Sequence, residues 1–198
     1  MNKADVLIRL KKHWLDILLA GFLLMLVFMP NLRAPVLGFL QGLILKTGIF
    51  QPSESAELEN MPEAEYQWML LDENGEEVPF EDFKGKTIFL NFWATWCPPC
   101  IAELPDILAL EERTDPEKVA FVLVNMDKER EALEKFLNKG PRFNSYRLKA
   151  GLPEVFRSQV LPTTYVISPN GKVISTKKGM AKYNTDHFKT YLESGGQK

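Results

Sequence analysis

Cysteine and histidine are the scarce residues of this sequence, with two of each among 198 residues. Cys97 and Cys100 stand three positions apart, whereas His13 and His187 lie far from them and from each other in the chain. A structural zinc site needs about four protein ligands. The sequence therefore argues against a zinc centre, and the two cysteines become the feature around which the rest of the chain is interpreted.

A strong excess of basic residues is also absent, because 24 Lys and Arg are balanced by 26 Asp and Glu, for a net charge of −2. Residues 1–50 nevertheless carry a charge of +4, from six basic side chains against Asp5 and Asp16, so the remainder of the chain is acidic. A basic start and an acidic body argue against nucleic-acid binding and favour an N-terminus oriented by a membrane. The sequence contains no internal repeat and no low-complexity tract.

The first apolar run predicts a membrane anchor. Residues 14–29 are almost entirely apolar, with Asp16 near one end, and four basic residues precede them. A transmembrane helix at about residues 13–30 would be long enough to span, with the basic end in the cytoplasm and the rest of the chain exported. Residues 28–33 offer no small-x-small cleavage site and no cysteine for lipid attachment, which favours an uncleaved signal anchor over a cleaved signal peptide.

Two further segments separate this anchor from the main domain. Residues 36–50 are apolar but contain Gln41 and Lys46, which suits an interfacial helix on the outer leaflet better than a second span. The alternative is a helical hairpin that returns the domain to the cytoplasm. Residues 51–65 are polar and acidic without an apolar face, and are predicted to be a tether. The domain itself is assigned to residues 66–198.

The local sequence predicts that Cys97 begins a helix. Residues 87–93 have the length and apolar composition of a buried parallel strand, and Pro98 is suited to the first helical position. Unpaired N–H groups at a helix start favour a thiolate and can lower a cysteine pKa from ~8.5 to roughly 3.5–7.5. Cys97 is therefore the candidate nucleophile, and Cys100, one helical turn on, the candidate resolving thiol. Half of a metal site or an inert packing pair are the alternatives.

These residues also carry a family resemblance. The motif Trp96-Cys97-Pro98-Pro99-Cys100 follows an apolar strand, and a Leu161-Pro162 strand start and a Pro-Asn-Gly turn at residues 169–171 come much later. Over about residues 65–194 the combination resembles the thioredoxin fold and, more narrowly, the membrane-anchored TlpA/ResA-type disulfide reductases. The resemblance implies an α/β fold, with a central mixed sheet flanked by helices and an N-terminal β-hairpin extension formed by residues 66–71 and 76–80.

The resemblance also implies roles for particular residues. Pro162 is expected to be cis and to pack against the cysteine pair, although a trans proline that simply starts a strand is the alternative. The backbone of Leu161 would pair with an extended substrate, and Trp96, Pro98 and Pro99 would line the substrate side of the motif. Trp93 is expected in the core.

Glu103 is the candidate acid–base residue. It stands three residues after Cys100, so the two side chains share a helix face, and its position matches the active-site glutamate of TlpA/ResA-type proteins. In thioredoxin a buried aspartate lies six residues before the first cysteine, where this chain has Asn91, which cannot accept a proton. Glu103 is then the better base for Cys100, provided that burial raises its pKa. A solvated helix glutamate is the alternative.

The predicted activity is thiol–disulfide exchange, without an organic cofactor or a metal. The expected substrates are disulfides of periplasmic or extracytoplasmic proteins, including apocytochrome c, and an exported domain needs a membrane electron donor of the DsbD or CcdA type. A disulfide oxidase or isomerase would use the same chemistry, and a non-catalytic thioredoxin-scaffold binding module is the alternative of another class. A peroxiredoxin signature would need proline at position 90 and threonine at position 94, where the chain has Leu90 and Ala94.

Overall fold

The computed structural model of the chain describes Asp16, which is helical and exposed, and residues 64–197. The rest of the predicted anchor, the predicted interfacial helix at residues 36–50 and most of the tether at residues 51–65 lie outside the described residues. Within residues 64–197 no helix is long and apolar enough to cross a membrane.

Seven strands of the described residues form one sheet in the order β2-β1-β5-β4-β3-β6-β7. The strands are β1 (Met69–Leu71), β2 (Glu77–Pro79), β3 (Thr87–Trp93), β4 (Val119–Asn125), β5 (Ser145–Leu148), β6 (Thr163–Ile167) and β7 (Val173–Lys178). The helices are α1 (Pro98–Arg113), α2 (Arg130–Leu137) and α3 (Asp186–Glu193), and two 3-10 turns lie at Phe80–Phe83 and Glu154–Phe156.

Strand β3 is the centre of the sheet. It pairs in parallel with β4 and antiparallel with β6, so the sheet is mixed. Every residue of β3 is buried, which explains why it appears in the sequence as a continuous apolar run rather than an alternating one. Its side chains alternate between two apolar clusters, as the pleat of a strand requires.

The two clusters fill the two faces of the sheet. Phe89 and Trp93 of β3 join a cluster that includes both cysteines and side chains of all three helices. Ile88, Leu90 and Phe92 join the other, which is covered by Trp68 and the two 3-10 turns instead of an α-helix. The cysteines therefore lie on the helix-covered face, at the carboxyl end of the central strand.

The predicted hairpin extension is confirmed and forms one edge of the sheet, where β1 pairs with β5. Its turn is fixed by Asp72, whose Oδ1 accepts hydrogen bonds from the backbone N–H groups of Asn74 and Glu76, and by Gly75 at a φ of 87°. Strand β1 is shorter than the predicted residues 66–71 because Trp68 N–H donates to the carbonyl of Tyr66 in a local turn.

Candidate active site

Cys97 and Cys100 form a disulfide at the start of α1. The S–S distance is 2.12 Å and the Cα atoms are 5.3 Å apart. Cys97 is the N-cap residue with Pro98 directly after it, and its carbonyl accepts the first helical hydrogen bond, from Ile101 N–H at 3.1 Å. The helix start predicted from Pro98 is therefore confirmed, and both cysteines are buried, at 4% and 1% exposure.

The loop that carries Cys97 is held by a buried carboxylate that the sequence did not point to. Asp127 accepts hydrogen bonds from Thr95 N–H at 3.0 Å and Thr95 Oγ1–H at 2.9 Å. Asn125 Nδ2 donates to the same carboxylate at 2.6 Å. Because Asp127 follows β4 and Thr95 follows β3, these bonds fix the active-site loop to the carboxyl end of the neighbouring strand.

Two apolar side chains are exposed on the loops around the cysteine pair. Trp96, directly before Cys97, is 66% exposed, and Val160, two residues before Pro162, is 45% exposed; these are the large apolar side chains that residues 64–197 leave in solvent. Pro98 and Pro99 are half-buried. Trp93 is buried against Phe136 and Phe143, as expected for a core residue.

The peptide bond between Leu161 and Pro162 is cis, which confirms the expectation for this bond. Pro162 is buried and leads into β6, whose first residue pairs with Phe92 near the end of β3. Its carbonyl accepts a hydrogen bond from Gly179 N–H at 2.8 Å. Leu161 is half-buried against the cluster that contains the cysteines.

Glu103, one helical turn after Cys100 on α1, is buried at 1% exposure, so the alternative of a solvated helix glutamate is wrong. Its Oε1 accepts a hydrogen bond from Asn91 Nδ2 at 3.0 Å, and its Oε2 accepts one from Ala181 N–H at 3.1 Å. Burial raises the pKa of Glu103 from 4.5 to about 8 despite these bonds, and the neighbouring Asp106 adds to the rise. The carboxyl can therefore gain or lose a proton near neutral pH.

Around Glu103 lies a set of buried polar side chains contributed by three other parts of the chain. Asn91 Nδ2 also donates to Thr164 Oγ1 at 2.9 Å, and Tyr183 O–H donates to the same oxygen at 2.7 Å. Burial, together with the Glu103 carboxyl, raises the pKa of Tyr183 well above 10, so its phenol keeps its proton. Asn91 thus contacts Glu103 directly, a contact that sequence reasoning missed.

The signal for that contact was present in β3. Asn91 is the polar residue in the middle of an otherwise apolar strand, and a polar side chain in such a place is almost always hydrogen-bonded. Thr164 and Tyr183 lie 73 and 92 positions further along the chain, and their closeness to Asn91 depends on the antiparallel pairing of β3 with β6, in which Asn91 faces Thr164.

The thioredoxin-fold redox proteins are defined by a cysteine pair at the start of a helix. The pair lies at the carboxyl end of the central strand of a mixed sheet, and a neighbouring strand starts with a cis proline. Comparison with known proteins agrees with this class. The Redoxin family profile matches residues 56–192. A solved thiol:disulfide interchange protein of the thioredoxin family from Chlorobium tepidum superposes with a TM-score of 0.55 at 22% identity, covering 68% of this chain and 97% of that one.

Two relatives are thiol-disulfide oxidoreductases named ResA. The protein from Bacillus cereus is 32% identical over 155 residues, which are 77% of this chain and 86% of that protein. The protein from Bacillus subtilis is 33% identical over 114 residues, which are 57% of this chain and 64% of that protein. The chain therefore belongs to the Redoxin family and, within it, to the thiol–disulfide oxidoreductases of the ResA type, as the cysteine motif predicted.

Proposed function

We propose that this chain is an exported, membrane-tethered reductase of protein disulfides, with Cys97 as nucleophile, Cys100 as resolving thiol and Glu103 as the base that takes the proton of Cys100. The observation that carries the proposal is the bonded cysteine pair at the helix start, followed one turn later on the same helix by a buried carboxyl whose pKa burial raises to about 8. Export and tethering are supported by the basic N-terminus and the apolar run at residues 14–29.

The first step uses the reduced dithiol. The Cys97 thiolate attacks one sulfur of a substrate disulfide, a Cys97–substrate bond forms, and the other substrate sulfur leaves as a thiolate that takes a proton from solvent. The position of Cys97 as N-cap of α1 stabilises its thiolate, because the free N–H groups of the first helical turn and the helix dipole favour negative charge there. Asp127 and Thr95 hold the loop in the conformation that presents this cysteine.

The second step releases the substrate. Cys100 loses its thiol proton to the Glu103 carboxylate and attacks Cys97 as a thiolate, which forms the Cys97–Cys100 bond and expels the second substrate sulfur as a thiolate. The substrate has then gained two electrons and the enzyme is left as the disulfide seen in the structure. Cys100 needs a base for this step because it is 1% exposed and water cannot readily remove its proton.

The substrate is proposed to bind over the exposed apolar side chains. Trp96, directly before Cys97, and Val160, two residues before the cis proline, are the exposed apolar side chains proposed to form this surface. Pro98 and Pro99 form the start of the helix between the two cysteines. The backbone of Leu161, fixed by the cis bond to Pro162, would pair with an extended segment of the substrate. Such a surface binds the backbone and apolar groups of its substrate, which suits unfolded proteins such as apocytochrome c.

The reaction needs electrons but no organic cofactor or metal, because the two cysteines themselves carry the redox change. A domain outside the cytoplasmic membrane has no soluble nicotinamide pool, so its disulfide must be reduced again by a membrane protein of the DsbD or CcdA type. Binding of nucleic acid is not part of the proposal, since residues 64–197 have an acidic balance of 17 basic against 20 acidic side chains.

The test is turnover in an insulin-reduction assay with the full-length protein in detergent and dithiothreitol as electron source. Cys97→Ser should abolish turnover. Cys100→Ser, reduced beforehand and freed of dithiothreitol before insulin is added, should accumulate a mixed disulfide between Cys97 and insulin that is visible on a non-reducing gel. Unchanged turnover by Cys97→Ser would contradict the hypothesis that the chain is an enzyme and would support a non-catalytic binding module on the same fold.

A further inference from the structure

The contacts of Glu103 fit its carboxylate form but not its acid form. Oε1 faces Asn91 Nδ2 and Oε2 faces Ala181 N–H, so each oxygen meets a donor. A carboxylate accepts both bonds, whereas a protonated carboxyl has one hydrogen that needs an acceptor. Both contacts are with donors, so neither supplies an acceptor for that hydrogen.

One buried acceptor in the same cluster is unused. Asn91 Oδ1 is buried and has no hydrogen-bond partner, although its amide nitrogen donates twice. A buried unpaired carbonyl oxygen costs free energy, so its presence on a side chain that donates to Glu103 calls for an explanation. Thr164 Oγ1 accepts from both Asn91 and Tyr183, which leaves the hydroxyl hydrogen of Thr164 available to donate.

We propose that the side-chain amide of Asn91 rotates by about half a turn when Glu103 takes up a proton, so that Asn91 is the residue that positions the proton on Glu103. This inference rests on the proposed role of Glu103. After the turn, Oδ1 occupies the place of Nδ2 and accepts from both Glu103 O–H and Thr164 O–H. Tyr183 O–H continues to donate to Thr164, so the hydrogen bonds run in one direction from Tyr183 through Thr164 to Asn91. In the carboxylate state the unpaired atom is Oδ1, and in the acid state it is Nδ2.

No other group around Glu103 takes this role. From its own helix Asp106 faces it, but Asp106 Oδ2 accepts from Tyr183 N–H and Asn184 N–H. From β7 the ammonium group of Lys177 acts on it through its charge, and an ammonium group cannot accept a hydrogen bond. Ala181 and Tyr183 approach from the loop before α3 with a backbone N–H and a phenol, and Cys100 approaches from α1 with its sulfur engaged in the disulfide.

The turn of Asn91 has a consequence for the second chemical step. When Cys100 gives its proton to Glu103, the carboxylate loses its negative charge. The protonated oxygen then no longer serves as the acceptor for the Asn91 N–H. Rotation of the amide then supplies an acceptor for the new O–H without any water entering the site. When an electron donor's thiolate later attacks the disulfide, Cys100 leaves as a thiolate and takes the proton back from Glu103. The amide then turns back, and Nδ2 once more stabilises the carboxylate.

The experiment is an NMR titration of the oxidised full-length protein in detergent micelles, with ¹⁵N-labelled asparagine and ¹³C-labelled glutamate. Above the midpoint of the Glu103 carboxyl titration, the Asn91 Nδ2 hydrogens should show a nuclear Overhauser effect to the Thr164 side chain. Below the midpoint that effect should disappear. Asn125 is an internal control, because its buried amide donates to Asp127 rather than to Glu103 and should keep its contacts throughout.

Two variants make the result specific. In Glu103→Gln the Asn91 contacts should no longer change with pH. In Asn91→Leu the Glu103 midpoint should move upward by about one pH unit, because the carboxylate loses one of its two donors. An Asn91–Thr164 effect that persists unchanged on both sides of the Glu103 midpoint would overturn the proposal. Since the oxidised protein has no thiol, this result is independent of whether Glu103 serves as the base in turnover.

Discussion

Glu103 is a carboxyl group that folding moves from water into a buried site, and this links stability to pH. Its pKa is 4.5 when solvated and about 8 in the folded protein. Between those values the folded state holds a proton that the unfolded state has lost, so the contribution of Glu103 to stability falls as pH rises from about 4.5 to about 8. Above that range both states are charged and the contribution is constant.

This linkage gives the first prediction. The free energy of unfolding of the oxidised protein should fall between pH 5 and pH 8 by the order of a few kcal/mol, and Glu103→Gln should remove most of that fall. Urea titrations at several pH values measure it. Glu112→Gln, an exposed residue of the same helix, is the matched control and should retain the wild-type slope. A slope unaffected by Glu103→Gln would show that the carboxyl titrates at an ordinary pKa.

The same residue gives a kinetic prediction. Glu103→Gln should slow the release of substrate from the mixed disulfide by about tenfold to a hundredfold, because Cys100 loses its base. The rate should also lose its dependence on a group with a pKa of about 8. Stopped-flow measurement of the second step from pH 5 to 9 tests both, and identical pH profiles for the variant and the wild type would exclude Glu103 as the proton acceptor.

How far single residues could be predicted depended on whether their partners were local. Cys97, Cys100 and Glu103 lie within seven positions of one another, so local signals were enough to place Cys97 at a helix start and Cys100 and Glu103 on one helix face. Asn91, Thr164 and Tyr183 come from β3, β6 and the loop before α3, and their contacts depend on strand register and on loop packing that no local pattern encodes. Asp127 and Thr95 were missed for the same reason.

The loop between β3 and α1 is the element on which the site depends most. It is held by two hydrogen bonds from Thr95 to the buried carboxylate of Asp127, and Asn125 of β4 donates a third bond to the same carboxylate. Asp127→Ala should leave Thr95 N–H and Asn125 Nδ2 without their acceptor and lower the free energy of unfolding by about 2 kcal/mol. The rate of alkylation of Cys97 in the reduced protein should change as well, since the loop that presents it is released.

The control for this variant is Asp186→Ala. Asp186 is an aspartate whose side chain is 91% exposed and pairs with Arg113. Loss of such a surface pair should change stability by no more than about 0.5 kcal/mol. Equal changes in the free energy of unfolding for the two substitutions would mean that Asp127 contributes no more to stability than a surface charge and does not hold the loop.

At the scale of elements, long apolar runs were predicted well and short polar ones poorly. Strand β3 and the start of α1 have the bounds that the sequence indicated, because a buried strand and a proline at a helix start leave strong local signals. Strand β1 was predicted three residues too long, since the local turn that ends its pairing at Trp68 involves only backbone atoms.

The whole chain is predicted to be a membrane protein with its redox domain outside the cytoplasm. Alkaline phosphatase, which folds only after export, should be active when it is fused after Lys198, and green fluorescent protein at the same position should stay dark. The reverse pattern would favour the helical hairpin at residues 36–50, which returns the domain to the cytoplasm. Deletion of residues 1–50 should release the protein from sedimented membranes.

The direction of electron flow is the central claim, and the reduction potential of the Cys97–Cys100 couple tests it most directly. The full-length protein in detergent is equilibrated with defined thiol and disulfide buffers, and the fraction of reduced Cys97 is read by alkylation. A disulfide reductase fed by a membrane electron donor should have a potential near that of thioredoxin, about −270 mV. A reduction potential of about −120 mV, as in strong oxidants, would contradict the account and make this protein a disulfide donor.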